Sequence, residues 1–329
     1  MNISKTSPHS LSPLAGRVLA TLVDPTIVLS FDRTGYWIHS ATFQAADVDV
    51  NLRGRNCLVT GATSGLGFET AKALAEREAE VWMLCRNADR GHSARDRILQ
   101  AIPSARLHVE VLDISSLASV RQFCARFTAQ RVDVLVHNAG VLPAERKETA
   151  EGLELTWATN VVGPFLLTNL LLPKLHAAQQ ARVITVSSGG MYLTRLSLKD
   201  IESRRGNFSG VKAYAQTKRA AVVLNELWAE HLGSSGIRFF AMHPGWVDTP
   251  GIEAALPGFH KLIRNRLRTP TEGADTIVWL ALCERILGSQ GRFWFDRQPR
   301  LTHLLPWTRE STADRRALWK LCCQQAGLD

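Results

Sequence analysis

Between residues 56 and 295 the chain alternates two kinds of stretch. Short, nearly continuous apolar runs are followed by longer segments whose apolar positions recur at helical spacing. The apolar runs predict strands over 56–60, 80–85, 107–112, 132–137, 181–187, 237–242 and 291–295. The periodic segments predict helices over 67–77, 90–100, 117–130, 151–175, 214–232 and 271–283. Runs such as Val132-Asp133-Val134-Leu135-Val136 lack the polar alternation of a half-exposed strand, so they suit burial on both faces. Strands alternating with helices predict a parallel sheet covered by helices on each side. No linker or internal repeat breaks this order, so one domain is expected over 51–300.

Two flanking segments fall outside the alternation. Residues 1–50 read as an N-terminal extension, with a Ser- and Pro-rich start and an apolar stretch from Leu14 to Trp37. Pro25 would divide that stretch into one or two short helices. The run Val18 to Phe31 is interrupted by Asp24-Pro25 and is too short to span a bilayer. It could lie on a membrane surface or cover an apolar patch of the protein itself; the few flanking Lys and Arg favour the second. Residues 301–329 form a C-terminal segment that could close over a site or pack elsewhere as a helix.

Composition narrows the class. The chain has 329 residues, 45% hydrophobic and 21% charged, which is ordinary for a globular protein. Its net charge of +9 suits anionic partners such as nucleotide phosphates or membrane surfaces. The basic residues are scattered rather than striped among aromatics, which sets nucleic-acid binding aside. Six cysteines without CxxC or Cys/His ligand spacing point to a reducing, cytoplasmic setting and to no metal site. No apolar core of a secretory signal follows the first residues.

The first strand runs into Thr60-Gly61-Ala62-Thr63-Ser64-Gly65-Leu66-Gly67, with the spacing G-x-x-x-G-x-G. Glycines between a buried strand and a helix let backbone approach a pyrophosphate at the helix N-terminus. Further on, Tyr214 and Lys218 stand at i and i+4 and share a helix face. A nearby ammonium favours the phenolate, which would make the Tyr214 phenol a better acid near neutral pH. Alone, such a pair is most often two surface neighbours.

These elements occur together with Asp113, Asn138-Ala139-Gly140, Asn160, Ser187-Ser188 and Pro244-Gly245, in that order. The combination resembles the short-chain dehydrogenase/reductase family over residues 54–300. The resemblance implies a Rossmann-type, doubly wound parallel sheet in three α/β/α layers, a single domain with an N-terminal extension. It implies that Tyr214 is the general acid/base, that Lys218 lowers its pKa and holds ribose hydroxyls, and that Ser188 polarises the substrate carbonyl. Asn160 would support a water-linked proton relay. Gly61, Thr63, Ser64, Gly65, Leu66 and Gly67 would surround the pyrophosphate. Asp113 would meet adenine, Asn138 would secure the cofactor wall, and Pro244, Gly245 and Thr249 would border the nicotinamide. His137 stands where the family commonly has Asn and is left without a role. Twenty-six positions separate Ser188 from Tyr214, about twice the family's usual interval, so the Ser assignment rests on strand-end context, with Ser187 as fallback. The insertion resembles that of the retinol-dehydrogenase-like branch.

The second strand ends in Cys85-Arg86-Asn87, without the acid that NAD enzymes place there for the ribose 2′-hydroxyl. Arg86 could instead take a 2′-phosphate through its guanidinium fork. NADP(H) is therefore the expected cofactor, with NAD(H) as the alternative. Met191, Tyr192, Leu193, Trp246, Leu256 and Phe259 are candidates to line a pocket for a lipophilic carbonyl or alcohol. The expected activity is hydride transfer between nicotinamide and that small molecule. A catalytically silent NADP(H)-binding sensor or interaction protein is the second reading, and an epimerase or dehydratase the third. Peripheral membrane contact through residues 1–50 and homo-oligomerisation are compatible with each.

Overall fold

The computed structural model describes residues 12–24, 26–255 and 257–328, with only the backbone of 252, 254 and 259. Three helices precede the sheet: α1 (Pro13–Val23), α2 (Ile27–Phe31) and α3 (Arg33–Ser40). The core then runs β1 (Asn56–Thr60), α4 (Gly65–Ala75), β2 (Glu80–Cys85), α5 (Ala88–Ala101), β3 (Arg106–Val111), α6 (Leu117–Arg126) and β4 (Val134–His137). It continues through α7 (Leu155–Trp157), α8 (Gly163–His176), β5 (Arg182–Val186), α9 (Gly210–His231) and β6 (Arg238–Met242). Two short helices, α10 (Pro250–Ala255) and α11 (Pro257–Ile263), lead to α12 (Pro270–Leu282), β7 (Phe293–Phe295), β8 (Gln298–Arg300) and α13 (Thr312–Ala326).

The sheet order is β3-β2-β1-β4-β5-β6-β7-β8. Strands β1 to β7 pair in parallel, and β8 returns antiparallel to β7. This is the expected Rossmann-type three-layer arrangement. Its order reverses between β1 and β4, which opens a crevice at the carboxyl ends of those strands. Two apolar cores lie on opposite faces. One gathers Phe123, Trp157, Phe165 and Trp228 under α6, α8 and α9; the other packs α4 and α12 through Leu74, Ile277 and Trp279.

Local chemistry explains the element ends. Asn87, Ser116, Ser209 and Thr269 cap α5, α6, α9 and α12 with side-chain oxygens that accept from backbone N–H groups. Three departures from the sequence expectation follow from packing. The extension forms three helices rather than one or two. The strand β8 is short and exposed, so nothing in its polarity announces it. The expected helix over 151–175 is a single turn, a π-helical turn over Ala158–Val162, and then α8. The C-terminal segment takes one of its two expected placements: α13 packs against α8 and α9, where Trp319 meets Phe165 and Trp228. One stretch, Leu155–His176, is long and apolar enough to cross a membrane, but 72% of its most apolar window is buried inside the protein.

Candidate active site

The crevice holds a cavity of about 440 Å³, within the size range of small-molecule and cofactor sites. Its floor is the glycine turn. Gly61 and Gly65 adopt φ of +68° and +54°, a backbone region that favours glycine. Gly67 does not line the cavity. A Cβ there would lie 2.4 Å from the Gly61 carbonyl oxygen, so Gly67 lets α4 seat directly beneath the turn. Thr63, Ser64, Gly65 and Leu66 line the cavity at the N-terminus of α4, where unpaired N–H groups and the helix dipole favour an anion. Asn138 braces the turn: its Nδ2 donates to the Thr60 carbonyl at 2.9 Å, and its N–H donates to Thr60 Oγ1 at 3.0 Å.

At one end of the cavity Arg86 follows β2, and Asp113 follows β3. Asp113 Oδ1 accepts from the Ser115 N–H and hydroxyl at 3.0 and 2.7 Å, which fixes the loop beside it. Sequence reasoning missed Arg90, one turn into α5, which also lines this end. Among the described residues neither guanidinium makes an ion pair, and both are exposed. The i, i+4 spacing of Arg86 and Arg90 was the available signal.

At the other end stand Ser188, Tyr214 and Lys218 with Pro244, Gly245, Trp246 and Thr249. The Ser188 hydroxyl accepts from the Gly190 N–H at 3.3 Å and stands close enough to the Tyr214 phenol to favour its ionised form. Ser187 is turned away; its hydroxyl donates to the Lys218 carbonyl at 2.9 Å, which leaves Ser188 as the serine of the site. Lys218 Nζ donates to the Val186 carbonyl at 2.8 Å and lies 5.5 Å from the Tyr214 ring centroid.

The expected depression of the Tyr214 pKa is not found. Burial pushes the phenol above its ordinary value, and the nearby Ser188 hydroxyl only partly opposes it. Lys218 is itself desolvated and its pKa falls to about 8. Its ammonium is committed to a carbonyl rather than aimed at the phenol.

Asn160 lies behind the cavity wall, in the π-helical turn, a device frequent at functional sites. Its Oδ1 accepts from the Val141 N–H at 3.0 Å and its Nδ2 donates to Thr217 Oγ1 at 2.9 Å. A Cβ at Gly140 would sit 3.2 Å from Lys218 Nζ and 3.3 Å from Asn160 Oδ1, so these groups converge. His137 is buried beneath, and its Nε2 is hydrogen-bonded to Thr168 Oγ1 at 2.7 Å.

Of the candidate pocket residues, Trp246 lines the cavity. Met191 and Tyr192 are buried in a separate core with Val222 and Phe293, and the Tyr192 hydroxyl donates to the Leu301 carbonyl at 2.8 Å. Leu193 is 82% exposed. Leu256 and the Phe259 side chain lie outside the described residues. Leu142 and Leu267 supply apolar lining that the sequence did not single out.

Residues 55–257 match the family model for short chain dehydrogenases. The human dehydrogenase/reductase SDR family member 12 is 40% identical over 83% of this chain and 86% of its own length. Mouse retinol dehydrogenase 11 is 32% identical over 85% of this chain and 89% of its own. Among solved structures, an uncharacterised protein of Mycobacterium paratuberculosis is 29% identical, with a TM-score of 0.69 over 85% of this chain and 97% of its own. The Pseudomonas aeruginosa RhlG/NADP active-site complex is 25% identical, with a TM-score of 0.59 over 74% of this chain and 94% of its own.

Proposed function

The chain belongs to the short chain dehydrogenase family of oxidoreductases that act on CH–OH and C=O groups, and on that premise we propose that it uses NADP(H) to interconvert a lipophilic carbonyl and its alcohol. One observation carries the reading. A phenol beside the Ser188 hydroxyl stands at one end of the cavity, and at the other stand Arg86 and Arg90, neither of which makes an ion pair among the described residues. The glycine floor fits a pyrophosphate, because side chains at Gly61 or Gly65 would be strained and would fill the space. Arg86 and Arg90 would hold a 2′-phosphate, Asp113 the adenine, and Thr249 with Pro244-Gly245 the nicotinamide. A relative solved as an NADP complex has the same fold.

NADPH bound there would supply the hydride in the reductive direction. Ser188 would donate a hydrogen bond to the carbonyl oxygen and stabilise the charge that develops on it. Tyr214 would give that oxygen its proton, and its raised pKa keeps the proton in place until it is needed. Lys218 would hold ribose hydroxyls with the donors not spent on Val186, and Asn160 would order the water that reprotonates Tyr214. The apolar contribution of Leu142, Trp246 and Leu267 favours a lipophilic substrate, a class to which the retinol of one relative's name belongs. Peripheral membrane contact is part of the same proposal: Leu14, Val18 and Leu22 form one exposed row on α1.

The test is purified protein with NADPH against lipophilic ketones and aldehydes. Turnover on some member, reduced by about a hundredfold or more in Tyr214→Phe with NADPH binding intact, is the expected result. Tight NADPH binding with no turnover across the panel would favour the silent-sensor reading instead.

A further inference from the structure

Phe31 sits between the two loops that form the catalytic end of the cavity, although it lies in the extension, far from both in sequence. Its ring fills the space over Gly189: a methyl there would fall 2.4 Å from Phe31 Cε2. Gly189 directly follows Ser188. The same ring packs against His243 at a centroid distance of 4.5 Å, and edge-on against Phe295 and Trp246 at 5.2 and 6.1 Å.

The backbone of Phe31 holds the other loop. Its carbonyl accepts from the Trp246 N–H at 2.8 Å and from Arg268 Nε at 3.0 Å. A Cβ at Gly245 would lie 2.6 Å from that carbonyl oxygen and 2.5 Å from Arg268 Nε, and Gly245 has φ of +77°. The turn Pro244-Gly245-Trp246 therefore takes its shape against Phe31 and Arg268. The guanidinium of Arg268 also donates to the carbonyls of Ser30 at 2.9 Å and Pro244 at 3.3 Å. Behind it, Asp296 accepts a bidentate pair from Arg268 at 2.6 and 2.8 Å and meets His39 Nδ1 at 2.6 Å. Arg268, Asp296 and His39 are all buried, so the clamp is rigid.

We propose that Phe31 is a positioning residue of the catalytic end: the extension sets the Ser188 loop and the Gly245 turn relative to each other, and so sets how the nicotinamide half of the cofactor is held. This rests on the oxidoreductase reading in one respect. A hydride donor must lie at the end where Tyr214 can protonate the same carbonyl, which is the end Phe31 supports. Among the described residues no hydrogen bond or ring contact joins Arg86 or Arg90 to this clamp.

The two ends can be probed separately without a substrate. NADPH reports on both halves of the cavity, whereas 2′,5′-ADP reports on the adenylate half alone. In the full chain, Phe31→Ala is expected to weaken NADPH binding about tenfold while 2′,5′-ADP binding stays within about twofold. Phe31→Leu, which keeps apolar volume over Gly189, is expected to restore most of the difference. If Phe31→Ala fails to fold, Phe31→Leu and Phe31→Val carry the same comparison, with NADPH affinity falling as the side chain shrinks. Equal losses of both ligands, or no loss of either, would overturn the proposal and leave Phe31 a residue of stability only. Failure of the unaltered protein to bind NADPH or 2′,5′-ADP would overturn the NADP(H) reading itself, a result distinct from the other two.

Discussion

Lys218 Nζ donates to the Val186 carbonyl at 2.8 Å, across the end of β5, instead of reaching the Tyr214 phenol. An ammonium held this way keeps its charge beside the cavity but loses hydration, and burial lowers its pKa to about 8. The protonated form is therefore present at neutral pH and is lost as pH rises through that value. Binding an anionic dinucleotide beside it is expected to weaken between pH 7 and pH 9. Lys218→Met is expected to bind more weakly at pH 7 and to show no such inflection. Fluorescence titration of NADPH across this range checks both; a flat profile in the unaltered protein would remove Lys218 from the cofactor site.

Arg86 and Arg90 meet the same question at the opposite end. Both are exposed and lack an acidic partner among the described residues, so neither is tied up in an ion pair. A 2′-phosphate between them would accept charge-assisted hydrogen bonds, each worth roughly 1.5–3 kcal/mol. Arg86→Ala is expected to raise the Kd for NADPH by about tenfold or more and to leave that for NADH nearly unchanged. Equal losses for the two cofactors would mean that Arg86 merely stacks on adenine or faces solvent.

Most of the sheet was legible because strands buried on both faces must be apolar along their length, as Leu58, Val59 and Val134 to Val136 are. The site elements were legible where the chemistry demands residue types at short range, as in the glycine turn and the Tyr214–Lys218 pair. What escaped depends on contacts between distant parts of the chain. Phe31 and Arg268 are 237 positions apart, and no local pattern in either predicts that one shapes the turn beside the other. The π-helical turn around Asn160 is wholly buried, and its sequence reads as plain helix. Met191 and Tyr192 look like pocket lining in sequence, yet Arg219 and Leu301 draw them into the core. The sign of the Tyr214 shift is not legible in sequence either, since burial and a neighbouring cation act in opposite directions and only distance decides between them.

His137 occupies a family Asn position and has its own expected signature. It is buried, and desolvation with the nearby Lys218 charge lowers its pKa to about 3. His243 is lowered to about 3 as well, chiefly by burial. An unfolded His titrates near about 6.5, so below that value the unfolded chain takes up protons that these two folded residues refuse. Stability is then present above about pH 6.5 and falls as pH drops toward 3, by about 1.4 kcal/mol per pH unit for each group at most. His39 has the opposite sign: its pKa is raised, against the cost of burial, by Asp24 and Asp296. Its contribution is complete below about pH 6.5 and adds no slope there. His137→Asn is expected to reduce the acid slope of stability between pH 6 and pH 4 by about 1 kcal/mol per unit. Urea unfolding at several pH values measures it, and an unchanged slope would contradict the assignment.

Arg219 and Glu310 tie the C-terminal segment to α9. Both are almost wholly buried, at 1% and 2% side-chain exposure, and Arg219 Nε donates to Glu310 Oε1 at 2.6 Å. Arg219 also donates to the Thr302 carbonyl and contacts His303, so one guanidinium gathers 302–310 onto the helix that carries Tyr214. Removing one partner leaves a buried charge uncompensated, a loss of roughly 3–5 kcal/mol. Replacing both with apolar groups of similar size removes the charge and the desolvation penalty together. Glu310→Leu alone is expected to lower the urea midpoint strongly, and Arg219→Met with Glu310→Leu to recover most of it. If the single and double variants were equally destabilised, the pair's shape rather than its charge would be holding the segment. If neither lost stability, the segment would not depend on the pair at all.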